Sequence, residues 1–333
     1  MHTAPEWFCR TAGCVPTAGD LRFPNAAYRL HDGVWLPETF ELSRDQQQTG
    51  DAFGHKWQRK ETYTSPAMLA HVRQWLFERY GDAPALVRSL AESPVVLDAG
   101  CGAGMSAMEL FDSVFRGIRY IGVDVSEAVF VARQRITAQG FDGVFVRDDI
   151  ARLPFSPGGM DCIFSEGVLH HTDSTKDALG ALVPLLRPGG LFLFYVYNKK
   201  GPVREFTDDY IRERLQHIPP GEAWEALAPL TELGRQLGGI DAELDLPEGI
   251  PLLGVPAGKV SLQRFFYWHI CKAYYRSDLA FEEMQHINFD WFAPKNAHRQ
   301  TPEEVREWCA EFGMRIQRFI VEPAGITVIA EKL

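Results

Sequence analysis

The stretch VVLDAGCGAG, Val95 to Gly104, decides the fold. A short apolar strand, Val95 to Ala99, runs straight into three alternate glycines, Gly100, Gly102 and Gly104. Glycine tolerates the positive φ angles of a tight turn and removes the side chains that would hold a ligand away from the backbone. A ligand is therefore expected against this loop, with Asp98 and Cys101 beside it. A nicotinamide-binding loop carries its third glycine one position later, where Met105 stands, so the spacing leans away from that cofactor.

Beyond the loop, short apolar runs alternate with amphipathic helices, which predicts a parallel sheet covered on both faces. The strands expected after Val95–Ala99 are 120–123, 144–147, 160–165 and 191–197. An apolar helix through Leu179, Leu182, Val183, Leu185 and Leu186 should end at the stop Arg187-Pro188-Gly189-Gly190. Asp124 closes the second strand about 20 residues after the last glycine, where a carboxylate accepts both ribose hydroxyls of an adenosine. Val125 follows it, and Ser126 is a natural N-cap. After the third strand, Asp149 could accept from an adenine amino group while Ile150 covers the ring; Asp148 is the rival for that place. Together with the loop, these residues point to S-adenosylmethionine.

The motifs DAGCGAG, VDVSEAV, DDIARLPF, DCIFSEGVLHHT and LRPGGLFLF occur in that order and cover roughly residues 90–197. They resemble the class I methyltransferases of the ubiquinone and menaquinone biosynthesis type. The resemblance implies an α/β, Rossmann-like fold: a seven-stranded sheet whose last strand is reversed, with the cofactor at the carboxyl ends of the strands. It also implies that Asp98, Gly100 and Gly102 hold the methionine end of the donor, Asp124 the ribose, Asp149 and Ile150 the adenine, and that Ser165 lies beside the donor methyl. The closing helix, with Thr301, Pro302 and Glu304 forming a capping box, and a terminal hairpin, 315–321 with 326–331, match the reversed ending.

The flanking regions are less regular. Residues 1–60 carry turn signals at Ala12-Gly13, Asp32-Gly33 and Leu36-Pro37 and read as an irregular arm. Within them HDGVWLPETF and FGHKWQRKET resemble the leader of some bacterial methyltransferases, in which a zinc ribbon precedes such segments. The ribbon's paired CxxC motifs are missing, so no metal is expected, but Phe53, His55, Trp57 and Arg59 are placed near the cofactor mouth. Residues 61–197 then form the first part of the core, beginning with a helix capped by Ser65 and opened by Pro66. Residues 198–290 read as a helical, aromatic-rich insertion closing over the acceptor, and 291–333 as the end of the core.

Methyl transfer from a sulfonium is an in-line displacement, and a base is needed wherever the acceptor must lose a proton. His170, the first of the pair His170-His171, and Glu166 are the candidates. Tyr195, Tyr197, Trp291, His298 and Arg299 are the candidates for an acceptor pocket, Arg299 as partner of an anion. The 333 residues are 46% hydrophobic with a net charge of −10. That charge argues against a nucleic-acid-binding surface, and with the insertion closing over the site a small-molecule acceptor is expected. Segment SEGV stands where amino-methylating nucleic acid enzymes carry a Pro-Pro-aromatic tetrapeptide, and six dispersed cysteines do not support arsenic methylation. With no apolar run near the ~20 residues of a membrane span and no signal-like start, a cytoplasmic protein is expected. Methylation of a protein or RNA, and a non-catalytic cofactor-binding partner subunit, are the alternatives.

Overall fold

The computed structural model describes residues 4–17 and 19–333. The leader contains helix α1 (Glu6–Ala12), four short strands, β1 (Val15–Pro16), β2 (Asp20–Arg22), β3 (Ala27–His31) and β4 (Val34–Pro37), and helix α2 (Arg44–Gln58). Helices α3 (Pro66–Tyr80) and α4 (Ala83–Ser89) lead into the core. There β5 (Val95–Ala99), α5 (Met105–Phe111), β6 (Arg119–Asp124), α6 (Ala128–Ala138), β7 (Gly143–Arg147), β8 (Met160–Glu166), α7 (Thr175–Leu182) and β9 (Leu186–Tyr197) follow in turn. The insertion comprises α8 (Pro202–Leu215), α9 (Pro220–Gly238), the hairpin β10 (Glu243–Leu246) and β11 (Gly258–Ser261), α10 (Leu262–His269) and α11 (Phe281–Phe292). Helix α12 (Pro302–Glu311) and strands β12 (Met314–Val321) and β13 (Gly325–Lys332) complete the core.

β5 is buried along its whole length because both its faces are apolar. Val95, Leu97 and Ala99 pack into one core with Ile121 and Ile163, while Val96 joins Phe111 and Phe164 on the other side of the sheet. β5 pairs in parallel with β6 and β8, and β7 and β9 extend the sheet in parallel on either side. β13 runs antiparallel to β9 and pairs with β12, so the reversed ending is present. The strand order reverses between β5 and β8, and in doubly wound sheets ligands bind beyond the carboxyl ends of the strands at that switch point.

Four expectations are corrected. The sheet has 11 strands rather than seven, because β1 to β4 extend it beyond β7, where β4 joins through the parallel pair Trp35 and Val146. The leader is thus structured, not an irregular arm; its strands are too short and too broken by Gly and Pro to show a period. The tetrapeptide Arg187-Pro188-Gly189-Gly190 does not end a helix in front of β9. It lies inside that strand as a bulge, the register passing from Met160–Leu186 to Cys162–Leu191, with Arg187 held by Asp161 at 2.6 Å. Helix α11 also crosses the expected boundary at residue 290.

The capped helices are as expected. Ser65 Oγ accepts from the Met68 amide at the start of α3, and Thr301 and Glu304 form the reciprocal capping box of α12. No helix of the described residues is long and apolar enough to cross a membrane.

Candidate active site

The loop after β5 is folded onto the end of β6. The Gly100 and Cys101 amides both donate to the Val123 carbonyl, at 2.8 and 2.9 Å. The Gly102 amide donates to Asp124 Oδ2 at 2.8 Å, while Oδ1 of the same carboxylate accepts from the Ser126 amide and hydroxyl. Gly100 has φ +86°, and a Cβ there would stand 2.2 Å from Val168; at Gly102, φ +51°, it would stand 2.9 Å from the Trp57 indole nitrogen. Both positions thus require glycine for conformation and for space. Ser126 Oγ also accepts from the Ala128 amide at the start of α6.

Asp98, the penultimate residue of β5, accepts from the Tyr120 hydroxyl at 2.6 Å. Burial pushes its carboxyl up to about 7, against the Tyr120 hydrogen bond and with help from Asp124. Burial likewise raises Asp124, opposed by its bonds from Ser126 and Gly102. Neither has a cationic side chain within 4.0 Å among the described residues. Of the two carboxylates after β7, Asp148 accepts from the Tyr28 hydroxyl of the leader and does not line the cavity described below. Asp149 faces the cavity, capping the Ala151 amide at 2.9 Å.

These groups form one end of a cavity of about 560 Å³, within the usual range for small-molecule sites. Of the expected cofactor residues, Asp98, Gly100, Cys101, Gly102, Asp124, Val125, Asp149 and Ile150 line it. Gly104 and Ser165 do not. Gly104 is the N-cap of α5, where a Cβ would meet Ala132 and Ile136 of α6, and Ser165 is buried with its hydroxyl on the Ala99 carbonyl, so it ties β8 to β5 instead of facing the cavity.

The residues expected at an acceptor site differ more from expectation. His170 is fully buried outside the cavity wall, stacked on Tyr197 at 3.7 Å between ring centroids, and both its ring nitrogens lack a partner. Burial holds its pKa well below the ordinary value. Its neighbour His171 lines the cavity. His171 Nδ1 donates to the Asn296 carbonyl at 2.5 Å, which leaves Nε2 as the lone-pair nitrogen, buried and without a partner. Burial lowers His171 to about 4, opposed by Asp290 and the Asn296 carbonyl.

Glu166 lines the cavity but is engaged: Arg79 Nη1 lies 2.8 Å from one carboxylate oxygen and the Tyr80 hydroxyl donates to the other. Tyr195, Tyr197 and Trp291 are cavity walls. His298 and Arg299 are not. The His298 ring meets the Thr172 carbonyl, and Arg299 is held by Glu205 and Asp209 at 2.8 and 2.7 Å, so it offers no free charge to an acceptor.

The leader reaches the cavity through one face of α2, with Gln46, Thr49, Phe53, Lys56 and Trp57 in the wall. His55 and Arg59, expected beside Phe53 and Trp57, are on the other side against Trp224. Lys56 pairs with Asp290 of α11, and Tyr197 donates to the same carboxylate at 3.0 Å. Lys56 and Asp290 were not singled out from sequence; the helical spacing 49, 53, 56 is the signal that finds Lys56. No comparable signal marks Arg79, Lys200, Arg204 or Lys272, which converge from three separate segments.

Residues 97–194 match the family model described as a methyltransferase domain. Among curated proteins, the chain is 27% identical over 201 residues to a ubiquinone biosynthesis O-methyltransferase of Caulobacter vibrioides, covering 57% of this chain and 76% of that protein. It is 31% identical over 134 residues to a tRNA (carboxymethyluridine(34)-5-O)-methyltransferase of Arabidopsis thaliana, covering 39% of this chain and 31% of that protein. The chain spans less than half the length of most curated relatives it matches. Among solved structures it is similar to a magnesium protoporphyrin IX methyltransferase of Synechocystis with bound S-adenosylmethionine, at 14% identity and a TM-score of 0.47, covering 89% of this chain and all of that one.

Proposed function

We propose that this chain is an S-adenosylmethionine-dependent methyltransferase acting on a small molecule. The observation that carries the reading is a single cavity with two chemically different ends: buried carboxylates and bare backbone at the strand tips, aromatic rings and cations beneath the insertion. The methyltransferase-domain match over the same strands supports it.

The residues at the strand tips fit the donor. Asp98 and Asp124 are buried acceptors without a cationic partner, which suits a ligand that brings its own ammonium and hydroxyl donors. Asp98 would hold the amino group, Asp124 the ribose hydroxyls and Asp149 the adenine amine, with Ile150 against the ring and Val125 beside it. When bound, the donor supplies an electrophilic methyl group on a sulfonium. The chain's own contribution is alignment and exclusion of water, with Phe53 and Trp57 of the leader and Tyr195 and Tyr197 of β9 walling the space between the two ends.

Where the acceptor must lose a proton, His171 Nε2 is the group to take it. Its tautomer is fixed by the Asn296 carbonyl, its low pKa keeps it neutral near pH 7, and Asp290 favours the imidazolium that forms. Glu166 is held in a buried ion pair with Arg79, and its role is to fix the cavity wall.

A small molecule is favoured over RNA because the cations beneath the insertion face inward to the cavity, whereas the chain's net charge is −10. Calorimetry with S-adenosylhomocysteine, followed by a labelled-methyl screen of small acceptors, tests the reading. Absence of homocysteine-product binding by the folded chain would sink it.

A further inference from the structure

We infer that the acceptor is a planar, aromatic-type molecule bearing an anionic group, carboxylate or phosphate, that docks between Lys200 and Lys272 against the indole of Trp291. This rests on the methyltransferase reading and names the substrate class for the same cavity.

Lys200 lies between β9 and α8, Lys272 between α10 and α11, and Trp291 belongs to α11; all three line the cavity. The two ammonium nitrogens stand 5.1 and 4.9 Å from the centroid of the Trp291 ring. Two arginines of α8 also approach this indole, Arg204 at 5.4 Å and Arg212 at 4.5 Å, but each already has a carboxylate partner, although Arg212 Nη2 makes no hydrogen bond. Arg204 is held by Asp208 at 2.5 Å and by the Tyr267 carbonyl, and Arg212 by Asp209 at 3.1 Å and by the Trp291 carbonyl.

The lysines are different. Among the described residues neither has a carboxylate within 4.0 Å. Lys200 Nζ donates to the Asn198 and Ala324 carbonyls, at 2.6 and 2.8 Å, and Lys272 Nζ makes no hydrogen bond although its residue is only 7% exposed. A buried ammonium without a counter-ion is costly and is normally paired. Here the missing partner belongs on the cavity side. Tyr195, Tyr197, Tyr267 and Trp268 supply flat walls around the same space, which suits a ring system.

Burial pushes Lys272 down to about 7, with Asp290 and Asp208 acting to raise it and Arg204 and Arg212 to lower it; Lys200 is also held well below its ordinary value, chiefly by burial. An anion seated between them would restore the ammonium form. Its binding is therefore accompanied by proton uptake above pH 7, and its affinity falls as pH rises through that range.

The test is calorimetry on the full chain saturated with S-adenosylhomocysteine, using benzoate, phenyl phosphate and neutral benzamide as probes. The expected result is that at least one anion binds tenfold or more tightly than benzamide, and the tighter of the two identifies carboxylate or phosphate. K272M and K200M should each weaken that anion tenfold or more without changing the affinity for S-adenosylhomocysteine. K272R should keep anion binding and flatten its decline above pH 7, a readout that a packing role for Lys272 would not give. Failure of both anions to bind, equal binding of anion and benzamide, or unchanged anion affinity in both methionine variants overturns the inference while leaving the donor site intact. Weakened S-adenosylhomocysteine binding in K272M also overturns it, by assigning the lysine to the donor's carboxylate. If the unmodified chain does not bind S-adenosylhomocysteine at all, the methyltransferase reading itself fails.

Discussion

Two adjacent imidazoles, His170 and His171, have the same residue type and opposite surroundings. His171 presents a partnerless Nε2 to the cavity, so His171→Gln should lower turnover on a proton-losing acceptor by about 100-fold or more, the usual range for a general base, with S-adenosylhomocysteine affinity unchanged. His170 has two unsatisfied buried nitrogens. His170→Phe removes them while keeping a ring on Tyr197, and should leave turnover intact and the melting temperature unchanged or raised. A His170→Phe variant without activity would return that residue to the chemistry. Asp124 is the corresponding residue on the donor side: Asp124→Asn retains an acceptor for Gly102 but loses the charge, and should weaken S-adenosylhomocysteine roughly tenfold by calorimetry, the ~1.4 kcal/mol expected of one charge-assisted bond. Aspartates 98, 124 and 149 were legible from sequence because each stands at or just beyond the carboxyl end of a strand. The histidine that lines the cavity was not distinguishable from its neighbour, since His171 is held by the Asn296 carbonyl, 125 residues away.

Among the elements, the turn from β5 to α5 has the least freedom. Gly102→Ala would put a methyl group against Trp57 in a left-handed conformation costing about 1–2 kcal/mol. It should lower both the melting temperature and the affinity for S-adenosylhomocysteine; wild-type behaviour in both would show that α2 does not pack on the loop as described. β5 and the ends of α3 and α12 could be read from sequence because a continuous apolar run, a Ser-Pro start and a capping box are local signals. The bulge at Arg187–Gly190 could not, because Pro and Gly read as a stop and only the pairing with β8 reveals that the strand continues through them. Strands of two to five residues in the leader likewise have no period to detect; what defines them is the exposed edge of β7 that they extend.

At the level of the whole molecule, leader, core and insertion meet at one ion pair. Lys56 of α2 and Asp290 of α11 are joined in the cavity wall, and Asp290 is held well below the ordinary carboxylate range by Lys56, His171 and Lys272 in spite of burial. Lys56→Met should therefore destabilise the chain by roughly 3 kcal/mol, as expected when one partner of a buried pair is removed. Because the folded pKa of Asp290 is depressed, its contribution is present above the ordinary carboxylate range and is lost only as pH falls through the lowered value. The stability difference between wild type and Lys56→Met, followed by denaturant unfolding, should thus persist at neutral pH and shrink in acid; a constant difference would contradict the assignment. This convergence explains why the cavity's acceptor end was the least legible region: its groups come from residues 56, 200, 272 and 290, and nothing in their spacing brings them together. The central claim, a donor site at the strand tips, is tested most directly by titrating the full chain with S-adenosylhomocysteine in a calorimeter. The account predicts one site per chain, weakened by Asp124→Asn and unchanged by Lys272→Met; no binding, or binding indifferent to Asp124, would contradict it.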